Sequence, residues 1–233
     1  MMNDNTTINW ATILLGEKLL FELLGKILFT ELDRDWLQSL IDEDVFAESP
    51  FGESQAEVQR GLEYLQAWSR ENKSGISKEA FLDVQVDCTK MFYGFGKVLV
   101  PMWESVYFSE ERMLFQAETL QVRSWYRQFG LESEKLHQEP DDHIGLELAF
   151  LAHLAFLGLQ ALEQNDEAGF QQALEAQRRF FHEHLSAWIL RWCFLVEKYA
   201  RTDFYRGLAS LTRGAAYELS EVLSVALPQE AFE

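Results

Sequence analysis

The residues whose types and spacing could support chemistry lie at 139–147. Three acids, a proline and a histidine at 139–143 precede an apolar run. His143 and Glu147 are four residues apart, a spacing that places both side chains on one face of a helix. With the neighbouring Asp142, such a group could bind a metal ion or transfer a proton. It could equally be the start of a helix whose polar end another molecule recognises.

The known metal-binding templates are absent from the sequence. A zinc-protease helix requires H-E-x-x-H, and a di-iron bundle requires two E-x-x-H motifs with two further glutamates. The E-x-x-H spacing occurs in a polar segment, at Glu134 and His137. His182 and His184 are two residues apart and would point to different helix faces. We therefore expect no functional metal site.

Signatures of catalysis and of nucleotide binding are also missing. The sequence contains no G-x-x-x-x-G-K-[ST] loop and no G-x-S-x-G elbow. Neither Cys88 nor Cys193 lies in a nucleophile signature, and two cysteines are too few for a disulfide framework. These absences disfavour an enzyme and indicate a reducing compartment.

The charge of the chain narrows the class of partner. Its 38 acidic side chains outnumber 20 basic ones, for a net charge of -18, which repels nucleic-acid phosphates. Basic or apolar partners fit better, although the acid-rich stretch 31–57 could also be simply a solvated surface. No basic residue precedes the first apolar run, and the later runs are interrupted by charges or too short to span a bilayer. We expect a cytoplasmic protein without stable membrane insertion.

Apolar residues recur at three- and four-residue steps along almost the whole chain, which contains only four prolines. This period predicts an all-α protein, one compact helical domain over 1–233 with about nine helices. The polar segment 130–139 could be a hinge between subdomains 1–130 and 139–233. The clearest core-facing stripes are Val58, Leu62, Leu65 and Trp68; Phe81, Val84, Cys88, Phe92 and Phe95; Phe181, Leu185, Trp188, Trp192 and Leu195; and Phe204, Leu208, Leu211, Ala215 and Val222.

Several positions carry helix-start signals. Ser77, Ser109 and Thr202 each offer a side-chain oxygen ahead of an acid in the first turn. Pro140 suits a first helical turn, where the two aspartates after it would complement the helix dipole. From Ile144 onward apolar residues cover most of the circumference, so we expect this helix to be central and buried.

The connection 94–109, GFGKVLVPMWESVYFS, is unusually long, apolar and aromatic for a loop. Loops are polar unless they are packed. The segment therefore either covers the core or provides a groove for an apolar peptide.

Three segments together resemble the TorD/DmsD family of chaperones for exported molybdoenzymes. The family's E-P-x-D-H motif, which opens a long apolar helix, reads here Glu139-Pro140-Asp141-Asp142-His143. Upstream, DCTKMFYGFGKVLVPMWESVYF corresponds to an aromatic-x-x-Leu-Phe-x-Gly stretch followed by a proline pair. Downstream, HEHLSAWILRWCFLVEKYARTDFYRGLASL contains the H-L-x-x-W and F-Y-x-x-L features. The resemblance covers the chain from about residue 80 onward.

The resemblance implies an all-helical cytoplasmic chaperone, a monomer or domain-swapped homodimer. Its partners would be the twin-arginine leader and the apo form of a molybdopterin-dependent oxidoreductase, held until the molybdopterin cofactor is inserted. No cofactor of its own is expected, although GTP binding has been proposed for the family. The peptide-binding residues that carry over are Phe92, Trp103, Glu139, Pro140, Asp142 and His143, with Pro101 shaping the loop.

The sequence departs from the family pattern at Cys88, Met91, Phe95 and Met102, which are all still apolar. A groove would survive with an altered shape, and the client would change with it. If Asp142 and His143 were buried against Trp103, they would hold the loop rather than contact the peptide. The alternatives are an assembly chaperone for a non-exported or leaderless redox-enzyme subunit, and a nucleotide-dependent factor.

Overall fold

The computed structural model describes residues 9–94, 98–132 and 139–228, and these contain helices and no β-strand. The all-α prediction is confirmed, and nine of the ten α-helices are longer than a single turn. A π-helical turn follows α4 at Thr89–Tyr93, and a 3-10 turn at Leu185–Ala187 precedes α9. The α-helices are Trp10–Phe29 (α1), Arg34–Asp42 (α2), Ala56–Glu71 (α3), Lys78–Cys88 (α4), Ser105–Phe108 (α5), Ala117–Gln128 (α6), Ile144–Glu163 (α7), Glu167–Glu183 (α8), Ile189–Tyr199 (α9) and Asp203–Leu223 (α10).

Two of the three predicted serine and threonine caps are confirmed. The Ser77 side chain accepts a hydrogen bond from the Ala80 amide at the start of α4, and Thr202 caps α10 in the same way. The prediction for Ser109 is wrong, because this residue ends α5 and is followed by turns. Arg112 and Phe115 have left-handed backbone conformations, which interrupt a right-handed helix.

α7 lies at the centre of the fold, as its apolar circumference predicts, and packs along α1. The two helices cross at Gly25 and Gly145, where a Cβ on Gly145 would lie 2.9 Å from the Gly25 carbonyl oxygen. This contact sets the start of α7 beside the end of α1. Among the described residues α7 alone is long and apolar enough to cross a bilayer, but 61% of that stretch is buried in the protein.

One continuous hydrophobic core draws on residues from both sides of the segment 130–139. The stripe of α3 is buried as predicted, from Val58 to Trp68, and so is most of the α10 stripe. Phe95 and residues 133–138 lie outside the described residues. The two-subdomain arrangement with its hinge remains a prediction.

An ionisable side chain lies inside the packing of α1 against α8. Glu17 is fully buried, and its Oε1 accepts a hydrogen bond of 2.7 Å from the Gln177 side-chain amide. Burial raises the pKa of Glu17 from 4.5 to about 8, and the hydrogen bond from Gln177 opposes the shift. The folded protein thus holds a proton that the unfolded chain releases.

In the Glu17→Gln variant, the free energy of unfolding is expected to fall less steeply with rising pH than in the wild type. Because the folded pKa is above the unfolded one, the wild-type free energy of unfolding should fall between pH 4.5 and about 8. The slope from this group is about 1.4 kcal/mol per pH unit. Denaturant unfolding across this range measures the difference between the two proteins.

Glu22→Gln is the matched control, because Glu22 is an exposed acid on the same helix, paired with Lys18. Its pH profile should follow the wild type. If Glu17→Gln also kept the wild-type slope, Glu17 would not be the buried proton-binding group.

Candidate functional site

The loop after residue 100 is joined to the start of α7 by a short antiparallel bridge between Trp103 and His143. The Ile144 amide donates to the Met102 carbonyl at 2.8 Å, and the Glu104 amide donates to the Asp142 carbonyl at 2.9 Å. These bonds keep His143 extended. The helix therefore begins at Ile144, where the Nδ1 atom of His143 accepts from the Gly145 amide at 3.0 Å.

The predicted helix start at Pro140 is therefore wrong. Pro140 precedes the helix, and the two aspartates after it hold neighbouring elements instead of complementing the dipole of α7. Asp142 is fully buried and accepts hydrogen bonds from the Ser105 amide at 2.8 Å and the Thr119 hydroxyl at 2.7 Å. Its carboxyl group thus connects α5 and α6 to the start of α7.

Asp141 also holds the segment before α7, through hydrogen bonds with α6. Both Nε and Nη2 of Arg123 donate to one oxygen of Asp141, at 2.8 and 2.6 Å. The Tyr126 hydroxyl donates to the Asp141 carbonyl at 3.1 Å. Both aspartates of the E-P-x-D-H motif are thus tied to α6.

Behind the bridge lies a buried ionisable cluster that the sequence analysis missed. The Glu104 carboxyl is 2.9 Å from Nδ1 of His184, and both side chains are buried. Burial raises the pKa of Glu104, and His184 opposes that shift. Glu104 belongs to the E-S-V-Y stretch and His184 to H-L-x-x-W, so all three motif segments of the chain meet here.

Glu147 is the second carboxyl of this cluster. Burial raises its pKa well above 4.5, and the nearby Glu104 and Asp142 add to the shift. The indole N–H of Trp188 faces it closely enough to oppose the shift, but the geometry falls short of a hydrogen bond. Burial among other carboxyl groups thus favours the protonated form of Glu147. Across the described residues, no three histidine, cysteine or acidic side chains are grouped as metal ligands would be.

The seven predicted peptide-binding residues differ sharply in exposure. Those at the protein surface are Trp103 and Glu139, which are half-buried and joined by a 2.7 Å hydrogen bond from the indole Nε1 to Oε1. His143 packs edge-on against the Trp103 ring, with centroids 5.9 Å apart. The burial of Asp142 and His143 beside Trp103 favours a role for these two residues in holding the loop. The five buried residues are Phe92, Pro101, Pro140, Asp142 and His143.

Beside these residues is a cavity of about 390 Å³ between the end of α1 and the π-helical turn. Phe92 lies at its base, where its ring stacks on Trp192 with centroids 6.3 Å apart. Tyr93 is 67% exposed. The lining side chains are mainly apolar at the base, with Glu31, Thr30, Gln85 and Thr89 adding polar groups.

The wall of this cavity is held by a buried carboxyl. One oxygen of Asp87 accepts from the amides of Arg201 and Thr202, both at 2.9 Å, and from the Thr202 hydroxyl at 2.8 Å. This ties the end of α4 to the start of α10. The π-helical turn that follows widens the helix, and such turns occur frequently at functional sites.

Two acidic residues lie near Tyr93, which lines the cavity together with Glu31. Partial burial raises the pKa of Tyr93, and Cys88, Glu139 and Glu31 add to that shift. Glu139 precedes α7 and Glu31 follows α1, so the two acids come from distant parts of the chain. The carboxyl end of α1 adds the negative end of its dipole.

Two of the four departures from the family pattern affect this cavity directly. Cys88 and Met102 line it, whereas Met91 is fully buried in the core. Phe95 lies outside the described residues. The shape of the cavity therefore depends on Cys88 and Met102.

Comparison with known proteins supports the resemblance. The family model for the nitrate reductase delta subunit matches residues 52–193. A probable Tat proofreading chaperone DmsD of Haemophilus influenzae is 27% identical over 61% of this chain and 63% of its own length. A chaperone protein TorD of Aliivibrio salmonicida is 28% identical over 58% and 61%, respectively. The Tat proofreading chaperone DmsD of Salmonella typhimurium is 32% identical over 53% and 54%.

Asp142→Asn is expected to lower the free energy of unfolding by about 2 kcal/mol, because the amide nitrogen cannot accept the bond that one of the carboxyl oxygens accepts. Thermal and denaturant unfolding measure this loss. Thr119→Ser, which keeps the hydroxyl bonded to Asp142, is the control and should lose much less. Equal stability of Asp142→Asn and the wild type would contradict the assigned structural role.

Proposed function

Because the chain belongs to the nitrate reductase delta subunit family, the family of the TorD and DmsD chaperones, we propose that it is a cytoplasmic chaperone for a molybdoenzyme. It binds the twin-arginine leader of the catalytic subunit and holds the subunit until its cofactor is inserted and it has folded. In this function it binds a polypeptide and catalyses no reaction.

Two considerations support the proposal. The family match at 52–193 includes the loop, the E-P-x-D-H segment and the buried Glu104–His184 pair. Relatives named as Tat proofreading chaperones and TorD align with the chain. Since the alignments span 54 to 63% of these three relatives, their role is carried over by inference.

The observation that carries the proposal is the acidic, apolar-based cavity beside Trp103. A twin-arginine leader combines two guanidinium groups with an apolar stretch. Glu31 and Glu139 offer one carboxyl group each near Tyr93, and the exposed ring of Tyr93 can stack on a guanidinium. Phe92 and Met102 at the base accept apolar side chains.

The recognition proposed here is largely electrostatic at the rim. Each carboxyl is solvent-accessible, so each pair with an arginine contributes modestly and is screened by salt. Weak individual contacts suit a chaperone that must later release its client. In this proposal the molybdopterin cofactor is inserted into the client. GTP binding by the chain remains a prediction, which titration with a fluorescent GTP analogue tests.

Glu31→Gln combined with Glu139→Gln is expected to weaken binding of a twin-arginine leader peptide about tenfold. The reason is the loss of both rim charges while the cavity keeps its shape. Calorimetric titration measures the affinity, which should also fall as salt is added. A leader with two glutamines in place of its arginines should bind equally weakly to both proteins.

Glu163→Gln is the matched control, since this exposed acid lies at the far end of α7. It should bind the leader like the wild type. If the double variant binds the leader with unchanged affinity, the cavity rim is not the site that binds the arginines. If the host protein captured by the wild type carries no twin-arginine leader, the client is instead a leaderless redox-enzyme subunit.

Asp142→Asn and His143→Ala are expected to weaken leader binding while leaving the helix content unchanged. Both residues position Trp103 and the loop, so the effect is indirect and should accompany a lower melting temperature. Calorimetry measures the affinity for the leader, and circular dichroism measures the helix content and the melting temperature. Normal affinity in both variants would exclude this segment from leader recognition.

A further inference from the structure

The carboxyl group of Glu147, in the first turn of α7, is enclosed without a hydrogen-bond donor. Both of its oxygens are buried, and neither accepts a hydrogen bond from the described residues. An ionised carboxylate in this situation is costly, because it has lost its water and gained no donor. Glu147 does not line the cavity described above, so peptide binding at that cavity does not account for it.

The carboxyl group of Glu104, just before α5, lies close enough to Glu147 for a hydrogen bond. Two ionised carboxylates offer only acceptors, so a bond between them requires one proton. Glu104 is also bonded to His184, whose Nδ1 atom lies 2.9 and 3.2 Å from its two oxygens. A protonated Glu147 therefore has an acceptor in Glu104, and Glu104 is held by two partners.

We propose that Glu147 is a positioning residue, which holds the loop before α5 through one proton shared with Glu104. The O–H group of Glu147 donates to the Glu104 carboxylate, and His184 bonds the same carboxylate. When the proton is lost to water, two carboxylates face each other in a buried site and repel. The contact of the loop with α7 is then weakened.

The charged groups around the pair make the proton hard to lose. Asp142, before α7, acts on both carboxyl groups, and Glu118 of α6 acts on Glu104; each raises the pKa of the group that it faces. His184 opposes these effects at Glu104 by favouring the ionised form. Burial is the largest cause of the raised pKa of both carboxyl groups.

The other helices packed around Glu147 bring polar groups that leave the pair intact. Tyr126 of α6 faces it, and burial raises the pKa of this phenol well above 10, which keeps it neutral. Trp188, before α9, presents an indole N–H. The acid that α1 buries, Glu17, bonds to Gln177 of α8 instead. The bases of α6 and α8 that pair elsewhere are Arg123, with Asp141, and Arg179, with Glu183.

The loop that Glu104 holds also forms one wall of the cavity. Met102 lines the cavity, and its carbonyl accepts from the Ile144 amide. The Glu104 amide donates to the Asp142 carbonyl, so Trp103 lies between two bonded residues. A displaced Glu104 therefore moves Met102 and Trp103. In its effect on a leader peptide the inference rests on the proposed function: affinity is present at low pH and is lost as pH rises.

Glu147→Gln tests the shared proton, because its amide can donate to Glu104 and cannot lose that hydrogen to water. The affinity of the wild type for a twin-arginine leader peptide should fall with rising pH by up to about tenfold per pH unit, the limit for one linked proton. The affinity of Glu147→Gln should stay constant over the same range. Calorimetric titration measures both, and parallel profiles would overturn the inference.

Glu104→Gln is a second variant, because its amide can donate to Glu147 after Glu147 has ionised. It should also flatten the pH profile, which keeps the inference testable if Glu147→Gln folds poorly. Glu17→Gln is the matched control, since Glu17 is another buried acid with a raised pKa but is bonded to Gln177. Its leader affinity should fall with pH as in the wild type. A flat profile in this control would assign the pH dependence to Glu17 and overturn the inference.

Hydrogen exchange separates this inference from the proposed function. The amides of Glu104 and Ile144 are bonded across the bridge, so their protection reports on the loop in the absence of a leader. With the proteins compared at the same pH, the wild type should lose protection relative to Glu147→Gln as pH rises. Equal protection throughout would overturn the inference. If the difference is found and the wild type binds no leader, the proposed function fails and the shared proton stands.

Discussion

The backbone pairing of Met102 and Glu104 with Asp142 and Ile144 is the constraint on which the site depends. It joins the loop to the start of α7 through a single antiparallel bridge and gives hydrogen-bond partners to amides and carbonyls that have none within a helix. Because α7 crosses α1 through Gly25 and Gly145, the same pairing sets the loop against the end of α1. The cavity lined by Phe92, Tyr93 and Met102 lies where these elements meet.

Buried polar groups make that pairing specific. Asp142 accepts two hydrogen bonds without exposure to solvent, and Glu104 pairs with His184. Leaving such a group unsatisfied is costly, so the loop, α6, α7 and the end of α8 must come together in one arrangement. The buried E-P-x-D-H residues thus hold the loop from inside. In the proposed function, contact with a peptide falls to more exposed neighbours such as Trp103, Glu139 and Tyr93.

In the proposed function the cavity recognises charge as well as shape. Carboxyl groups near an exposed aromatic ring are a combination that favours guanidinium groups. The net charge of -18 adds a general attraction for a basic peptide.

The sequence by itself determined the helical class, because apolar periodicity is a local property that needs no knowledge of neighbours. It also located the Ser77 and Thr202 caps, where a side chain bonds within its own first turn, and it identified the motif segments. It could not decide that Pro140 and Ser109 fail to start helices. The start of α7 depends on the bond from the Ile144 amide to the Met102 carbonyl, and Ser109 is followed by left-handed residues at Arg112 and Phe115. Tertiary structure alone decided that Asp142 is buried, that Glu104 meets His184 and that Glu31 and Glu139 both lie near Tyr93. Each of these depends on which distant elements pack together, and residue type and spacing do not carry that information.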